Sequence, residues 1–166
     1  SGLGLEDFRR EALLLSPVRS RKFDSATSTM NQRISYRMFP QRLLEKSIFT
    51  RGDRVMFNVN NYEYGFVNGE MGTLVDYQTS ARRAIIDNDY GHRYQLDQYS
   101  LADYAEWGYA LTVHKAQGSE AEKVVLLLTA EAGFMYSRNL LYTALTRAKR
   151  EVYMVGNIDV LKRGAR

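Results

Sequence analysis

The chain has 166 residues and a net charge of +4, and 45% of its residues are hydrophobic and 25% charged. This composition predicts one globular domain, or one domain with a small insertion, and excludes a wholly disordered chain. The absence of cysteine excludes disulfide bonds and thiolate metal sites. The two histidines lack ligand spacing, so we predict no metal held by the protein. No apolar run approaches the roughly 20 residues that span a bilayer, so we expect no membrane partner. The lack of cysteine fits a cytoplasmic location.

The first part of the chain predicts a strand, a loop and a helix. Residues 11–16 are largely apolar and predict a short buried strand, which Pro17 ends. Basic and small polar residues over 19–29 indicate a loop. Apolar residues then recur near helical spacing, which predicts a helix over 28–38.

The middle of the chain, from about residue 50 to 100, has the pattern of short β-strands. Val55, Phe57 and Val59 alternate with polar residues, as in a half-buried strand. Asn68-Gly69 is a hairpin signal. Further strands are predicted to begin at Gly72 and to occupy 84–86 and 92–96. Short strands separated by frequent turns favour a small barrel or a β-meander.

Beyond residue 100 the chain returns to a pattern of strands and helices. Strands are predicted at 109–113, 124–128 and 152–156, and a helix is predicted over 137–150. Strands that alternate with helices predict a parallel sheet. The expected architecture is therefore an α/β domain that a β insertion interrupts.

The segment from Thr112 to Glu120 lies between two predicted strands, where loops of open α/β sheets bind ligands. Gly118 allows a positive φ or the close approach of a phosphate. Thr112, His114 and Lys115 are donors that suit a phosphodiester backbone, and Glu120 is an acceptor for a ribose hydroxyl. The residues alone leave another interpretation open, an exposed loop with a glycine turn and an ordinary surface histidine.

The predicted helix over 137–150 has one apolar face and a basic end. Ser137 is a predicted N-cap. Helical spacing places Arg147 at the margin of the apolar face, where a guanidinium is held rigidly. Lys149 and Arg150 are predicted to complement the helix dipole in the last turn.

Two of these segments resemble motifs of one protein family. Residues 109–120 resemble motif V of superfamily-1 DNA helicases, in the form found in the RecD/TraA-like branch. Residues 142–149 are similar to motif VI of the same family, and the two motifs begin about 30 residues apart in the family's order. The resemblance implies the second motor domain of an ATP-dependent helicase.

The resemblance also implies a role for individual residues. Arg147 is the implied catalytic residue, an arginine finger that stabilises charge at the γ-phosphate of ATP, where a lysine would lack the bidentate fork. The residues implied to bind the nucleotide are Gln117, Gly118, Glu120 and, from a loose match to motif IV, Arg19. The residues implied to bind single-stranded DNA are Thr112, His114, Lys115 and Asn139.

For the whole fold, the resemblance implies a RecA-like parallel-sheet motor domain (2A) over 1–49 and 101–166. A small SH3-like β-barrel insertion (2B) would occupy 50–100. The sequence has no P-loop, so ATP with Mg²⁺ would be bound mostly by a first motor domain that precedes this one. We therefore expect this part alone to be inactive as an ATPase. The implied partners are single-stranded DNA, that N-terminal motor domain and subunits of a recombination or repair complex.

Other functions stay open on the residues alone. The chain could be a nucleic-acid-binding module without motor activity, or an SH3-like scaffold for protein interactions. Arg51-Gly52-Asp53 also matches a cell-adhesion tripeptide. Most aromatic residues of the β-rich middle are expected to fill its core, although exposed ones can stack on bases.

Overall fold

A computed structural model describes residues 2–19, 26–41, 48–78 and 80–164, so part of the predicted loop at 19–29 lies outside the described residues. Short 3-10 helices occupy Leu5–Arg9 and Ala130–Met135. None of the helices in the described ranges is both long and apolar enough to cross a membrane. The remaining elements, in chain order, are β1 (Ala12–Ser16), α1 (Thr27–Met38), β2 (Arg54–Phe57), β3 (Met71–Gln78), β4 (Arg83–Asn88), β5 (Arg93–Asp97), α2 (Gln98–Tyr104), β6 (Ala105–Trp107), β7 (Ala110–Thr112), β8 (Ala121–Leu128), α3 (Arg138–Leu145), β9 (Ala148–Gly156) and α4 (Asp159–Gly164).

The chain divides into two compact units, and the division falls within α1 and between β6 and β7. Residues 1–33 and 109–166 form one unit, here called the parallel unit. Residues 34–108 form the other, here called the antiparallel unit. The assignment of these units as domains 2A and 2B, with boundaries at 49/50 and 100/101, stays a prediction.

The parallel unit is built on a four-stranded sheet with the order β7-β1-β8-β9. Each neighbouring pair is parallel. All five residues of β1 are buried, as expected for a central strand of a parallel sheet. The helix α3 connects β8 to β9, so the predicted α/β fold with a parallel sheet is confirmed. The strand β9 ends the sheet and leaves Val152, Met154 and Val155 exposed.

Because the strands are parallel, their ends define two opposite edges of the sheet. The carboxyl edge contains Thr112 beside Ser16, and Leu128 beside Gly156. The amino edge contains Ala121 beside Ala148. Eight residues of β8 separate the two edges, which corresponds to roughly 23 Å at the rise of a parallel strand.

The predicted helix over 137–150 is wrong at its carboxyl end. The helix α3 stops at Leu145, and β9 begins at Ala148. Backbone pairing of Ala148 with Ala121 outweighs the helix propensity of the alanine and basic residues that follow. Lys149 and Arg150 lie in β9, so the interpretation that they complement the dipole of this helix is also wrong. Ser137 is the N-cap, as predicted, and its Oγ accepts the N–H of Leu140 at 3.1 Å.

The antiparallel unit contains a five-stranded sheet with the order β5-β4-β3-β2-β6. Strands are found where residues 55–59, 72–75, 84–86 and 92–96 predict them, except that β2 ends at Phe57 and leaves Val59 outside the strand. The Asn68-Gly69 turn forms with a positive φ at Gly69, but Phe66 before it makes a single bridge to Asn61. The residues before this turn therefore do not form the first strand of a hairpin, because β3 pairs with β2 and not with them. The predicted hairpin is wrong in this respect. The structure shows a separate antiparallel sheet, and the SH3-like barrel stays a proposal.

Aromatic rings fill the core of this unit, as expected from the sequence. The rings of Phe57 and Phe66 stack with their centroids 3.9 Å apart, and Tyr94 contacts both edge-on. Tyr62 is an exception, since 91% of it is exposed.

Asp53 joins three parts of the antiparallel unit. Its carboxylate accepts hydrogen bonds from Ser35 Oγ at 2.5 Å, from Thr50 N at 2.9 Å and from Trp107 Nε1 at 3.1 Å. Asp53 is fully buried. A buried carboxylate with these partners is not available to an adhesion receptor, so the cell-adhesion interpretation of Arg51-Gly52-Asp53 is excluded.

Candidate nucleotide and nucleic-acid site

The segment that resembles motif V begins with a tight turn at the carboxyl edge. Thr112 ends β7, and its Oγ1 accepts the N–H of Lys115 at 3.2 Å. Its carbonyl oxygen accepts the N–H of Ala116 at 3.0 Å. These two bonds fix the direction in which the chain leaves the strand. Thr112 is thus a structural residue of this turn.

His114 and Lys115 lie at the top of this turn. The His114 side chain is exposed, and no described residue forms a hydrogen bond or ion pair with it. Lys115 is partly exposed. Both side chains carry hydrogen-bond donors, and the exposed His114 ring is accessible to an anionic ligand.

Gly118 adopts the positive φ that the sequence predicts, +85°. No atom lies within 4 Å of the position that a Cβ would occupy there. The backbone is therefore open to the close approach of a ligand group such as a phosphate. Gln117 precedes it and is exposed.

The segment ends at the amino edge, where it contacts the segment that resembles motif VI. The N–H of Ala121 donates to the carbonyl oxygen of Arg147 at 3.0 Å. Close to this bond along both segments, Lys149 Nζ lies 3.5 Å from Glu120 Oε2. The two motifs thus touch through one backbone bond and one ion pair.

Arg147 follows α3 instead of lying within it, which corrects the expectation that helical spacing would position it. Its Nε donates to the carbonyl oxygen of Thr143 at 3.2 Å, and its Nη2 donates to Thr146 Oγ1 at 3.4 Å. Thr146 Oγ1 itself donates to Thr143 O at 3.1 Å. The guanidinium is therefore held against the end of α3 by two threonines.

The structure separates the predicted site residues into three groups. Arg147 and Glu120 lie together at the amino edge. Asn139 lies in the first turn of α3, on the side of the carboxyl edge, and Gln117 and Gly118 lie in the loop between the edges. The predicted residues that lie at or beside the carboxyl edge are Thr112, His114, Lys115, Asn139 and Arg19. Arg19 follows β1 there, away from Arg147, and its nucleotide role stays a prediction.

Asn31 supports the site and was not predicted from the sequence. Its Nδ2 donates to the carbonyl oxygen of Ala110 at 2.8 Å. Its Oδ1 accepts the N–H groups of Tyr109 at 3.0 Å and of Ala110 at 2.7 Å. This side chain fixes the start of β7 from α1. The available signal was a polar residue next to Met30 within the apolar repeat of the predicted helix.

Comparison with known proteins identifies the segment that contains both motifs. The family model of the UvrD-like helicase C-terminal domain matches residues 108–155. The predicted resemblance to superfamily-1 helicases is confirmed. The match relates residues 108–155 to the C-terminal domain of UvrD-like helicases.

Curated relatives belong to the same branch. The RecBCD enzyme subunit RecD of Mycobacterium tuberculosis is 37% identical over 108 residues, which are 64% of this chain and 18% of the relative. The ATP-dependent RecD2 DNA helicase of Deinococcus radiodurans is 39% identical over 106 residues, which are 64% of this chain and 14% of the relative. The conjugal transfer protein TraA of Agrobacterium fabrum is 31% identical over 64% of this chain and 9% of its own length. The chain thus spans less than a fifth of the length of these relatives.

Solved helicase structures share the fold at low sequence identity. Pif1 helicase from Candida albicans aligns with a TM-score of 0.55 and 14% identity, over 98% of this chain and 50% of its own. Pif1 helicase from Bacteroides, in complex with ADP-AlF3 and ssDNA, aligns with a TM-score of 0.54 and 16% identity, over 95% of this chain and 47% of its own.

Proposed function

We propose that this chain is the second motor domain of an ATP-dependent DNA helicase, which supplies the arginine finger and part of the grip on single-stranded DNA. The observation that carries the proposal is the contact between the two motifs at the amino edge. There the carbonyl oxygen of Arg147 accepts the N–H of Ala121, directly after Glu120. This bond brings the end of one motif beside the arginine of the other.

In this proposal the residues of the amino edge serve the nucleotide. ATP with Mg²⁺ would be held mostly by a first motor domain, and when bound it supplies the phosphoryl group whose transfer drives the motor. Arg147 would stabilise the charge that develops on that group. Glu120 would accept a ribose hydroxyl, and the open backbone at Gly118 suits a phosphate. Gln117, from the loop between the edges, and Arg19, from the carboxyl edge, are the further proposed nucleotide contacts.

The residues of the carboxyl edge would hold single-stranded DNA. Thr112, His114 and Lys115 offer donors of three kinds to the phosphodiester backbone. Asn139 would contribute an amide from the start of α3. Because these residues and Arg147 belong to the parallel unit, closing of the cleft between the two motor domains would move the grip and the finger together.

The proposed helicase function also implies partners for the whole protein. They are single-stranded DNA and a first motor domain of the same protein. The RecD relatives are named as RecBCD enzyme subunits, so subunits of a recombination or repair complex are also proposed. The antiparallel unit would be the SH3-like 2B insertion.

The arginine finger is tested in the full-length protein with Arg147→Ala and Arg147→Lys. Both changes should lower the DNA-stimulated ATPase rate by a factor of about 10³ or more, because an arginine finger contributes about that much and lysine lacks its fork. Arg150→Ala, an exposed neighbour in β9, is the matched control and should keep full activity. An Arg147→Ala protein with an intact ATPase would contradict the finger.

The isolated chain separates the motor from its alternatives. We expect it to bind single-stranded DNA with an affinity that falls as salt rises, and to hydrolyse no ATP. Rapid hydrolysis would contradict the division of the nucleotide site between two domains. A chain that binds no DNA at any salt concentration would favour the protein-interaction scaffold. Salt-dependent DNA binding together with full ATPase in Arg147→Ala would favour a passive nucleic-acid-binding module.

A further inference from the structure

A cavity of about 480 Å³ opens at the carboxyl end of β8, within the parallel unit. It is bounded by the 3-10 segment after β8, by the residue that caps α3 and by the end of α4. The residues that line it are Ala130, Gly133, Phe134, Tyr136, Ser137 and Arg163. None of them belongs to the residue set proposed above for the nucleotide or the DNA grip.

One wall of the cavity is formed by the exposed ring of Phe134. Phe134 is 88% exposed, and no described ring packs against it. An exposed phenylalanine beside the small residues Ala130 and Gly133 offers a flat apolar face with room in front of it. Every nucleic-acid base has a π-face that stacks on such a ring.

The wall beneath it is rigid. Tyr136 is buried, and its hydroxyl donates to the carbonyl oxygen of Leu127 at 2.6 Å and accepts the N–H of Thr129 at 3.0 Å. The burial raises the pKa of this hydroxyl. Tyr136 therefore shapes the cavity and has no hydrogen-bond donor left for a ligand.

The polar side of the cavity suits a phosphate. Arg163 is exposed, and no described residue forms a hydrogen bond or ion pair with its guanidinium. The nearby Asp159 is already paired with Lys162 at 3.0 Å, and Glu131, exposed in the 3-10 segment, is not among the lining residues. Ser137 Oγ accepts the N–H of Leu140, which leaves its O–H free to donate.

The cavity also lies on the edge where the proposed DNA grip begins. β7 and β8 flank β1, so their carboxyl ends are two strand spacings apart, roughly 10 Å. A short length of single strand that reaches Thr112 therefore extends to the cavity. The order of the strands along the sheet also reverses at β1, and ligands of open α/β sheets bind beyond the carboxyl ends at such a point.

We propose that this cavity holds one nucleotide of the single strand, with its base against Phe134 and its phosphate bound by Arg163 and Ser137. The inference rests on the proposed function, because it adds a base contact to the phosphate contacts of the DNA grip. It assigns to the parallel unit a site that is sensitive to the presence of bases and not only to charge.

The base contact is tested with the 166-residue chain and a fluorescein-labelled oligonucleotide of twelve thymidines, by fluorescence anisotropy. Phe134→Ala should weaken binding about tenfold, as loss of one stacked base does. Phe134→Trp should keep the affinity, whereas Phe134→Leu should lose it, because leucine is apolar but has no π-face. Ile158→Ala removes another exposed apolar side chain of the same unit and should have no effect. Since Phe134 is exposed, circular dichroism should show unchanged folding.

An oligonucleotide of equal length with abasic sites separates the base from the phosphate. On this ligand Phe134→Ala should lose its effect, while Arg163→Gln should still weaken binding and lower the salt slope by about 0.7. Lys162→Gln is the control for charge and should change the affinity less, since Asp159 already pairs with Lys162. An equal loss on both ligands for Phe134→Ala would overturn the base contact.

The remaining outcomes separate this inference from the proposed function. If the wild-type chain binds the oligonucleotide, and His114→Ala weakens binding but Phe134→Ala does not, the grip stands and the cavity site is overturned. If the wild-type chain binds no oligonucleotide, both are overturned. If thymidine monophosphate binds and Phe134→Ala abolishes only that binding, the cavity takes a free nucleotide, and the strand contact is overturned.

Discussion

Lys149 and Glu120 form an ion pair across the two motifs, with Nζ of the lysine 3.5 Å from Oε2 of the glutamate. The side chains are 52% and 59% exposed, respectively, so solvent screens the pair and it contributes at most about 1 kcal/mol to folding. The ion pair matters more for the proposed contact between Glu120 and the nucleotide. In the proposed nucleotide site, a ribose hydroxyl bonded to Glu120 would compete with the lysine for the same carboxylate.

This competition predicts that replacing Lys149 and replacing Glu120 have opposite effects on the KM of the full-length protein for ATP. Lys149→Gln should lower the KM for ATP about threefold, because it frees Glu120, and Glu120→Ala should raise it. Steady-state kinetics measures both. In the Glu120→Ala background, Lys149→Gln should have no further effect. A KM that rises on Lys149→Gln in that background would show instead that the lysine contacts the nucleotide itself.

Replacing Asn31 is expected to cause a large loss of stability. Asn31→Ala removes partners from the N–H groups of Tyr109 and Ala110 and from the carbonyl oxygen of Ala110. Buried backbone groups left without partners should lower the free energy of unfolding by roughly 2–4 kcal/mol. Urea denaturation measures this change, and Gln32→Ala on the exposed side of α1 is the control. Equal midpoints for the two variants would contradict the role of Asn31 in fixing β7.

Two glycines with positive φ should respond differently to alanine. At Gly156 a Cβ would lie 2.0 Å from the carbonyl oxygen of Leu128, with φ at +125°. Gly156→Ala should therefore cost more than about 3 kcal/mol of unfolding free energy. At Gly118 the space is open, and the cost should be about 1–2 kcal/mol of backbone strain. Thermal unfolding of the two variants makes the comparison, and a more severe loss at Gly118 would contradict the open backbone there.

The raised pKa of Tyr94 is expected to cause a loss of stability at alkaline pH. Burial, together with the hydrogen bond to Glu70 at 2.7 Å, raises the pKa of Tyr94 to about 12 from 10.0. Because the folded state holds the proton more tightly, this contribution is complete below about pH 10 and is lost as the pH rises to about 12. Urea unfolding of wild type and Tyr94→Phe across this range should show their difference shrink. Tyr90→Phe, at an exposed ring, should show no such trend, and a constant difference for Tyr94→Phe would contradict the shifted pKa.

Strands with a clear apolar pattern could be predicted from the sequence. The buried run of β1 and the stop at Pro17 specify that strand within one residue, and β8 contains the predicted run 124–128. The end of α3 could not be predicted in this way, since residues 147–150 have high helix propensity, and 148–150 become strand only through pairing with β8. The short elements α2 and β6 were not predicted either, because their seven and three residues carry too little periodicity.

The position of the candidate site in the chain could be predicted, but not what supports it. The motifs mark Glu120 and Arg147 without long-range information. Asn31 bonds to Ala110 from 79 residues away, and no local pattern connects the two. Thr143 and Thr146 accept hydrogen bonds from Arg147 because α3 ends before it. With the helix predicted to continue to residue 150, these hydrogen bonds could not be predicted.

The open side of β9 has a practical consequence for samples of this chain. Among the described strands, β9 has a neighbour on one side only, and its exposed residues include Val152, Met154 and Val155. Unpaired backbone groups beside apolar side chains form a template for strand addition. Concentrated samples of this chain are therefore expected to self-associate through β9, and charged substitutions at Val152 or Met154 would be the first changes to make for crystallisation or NMR.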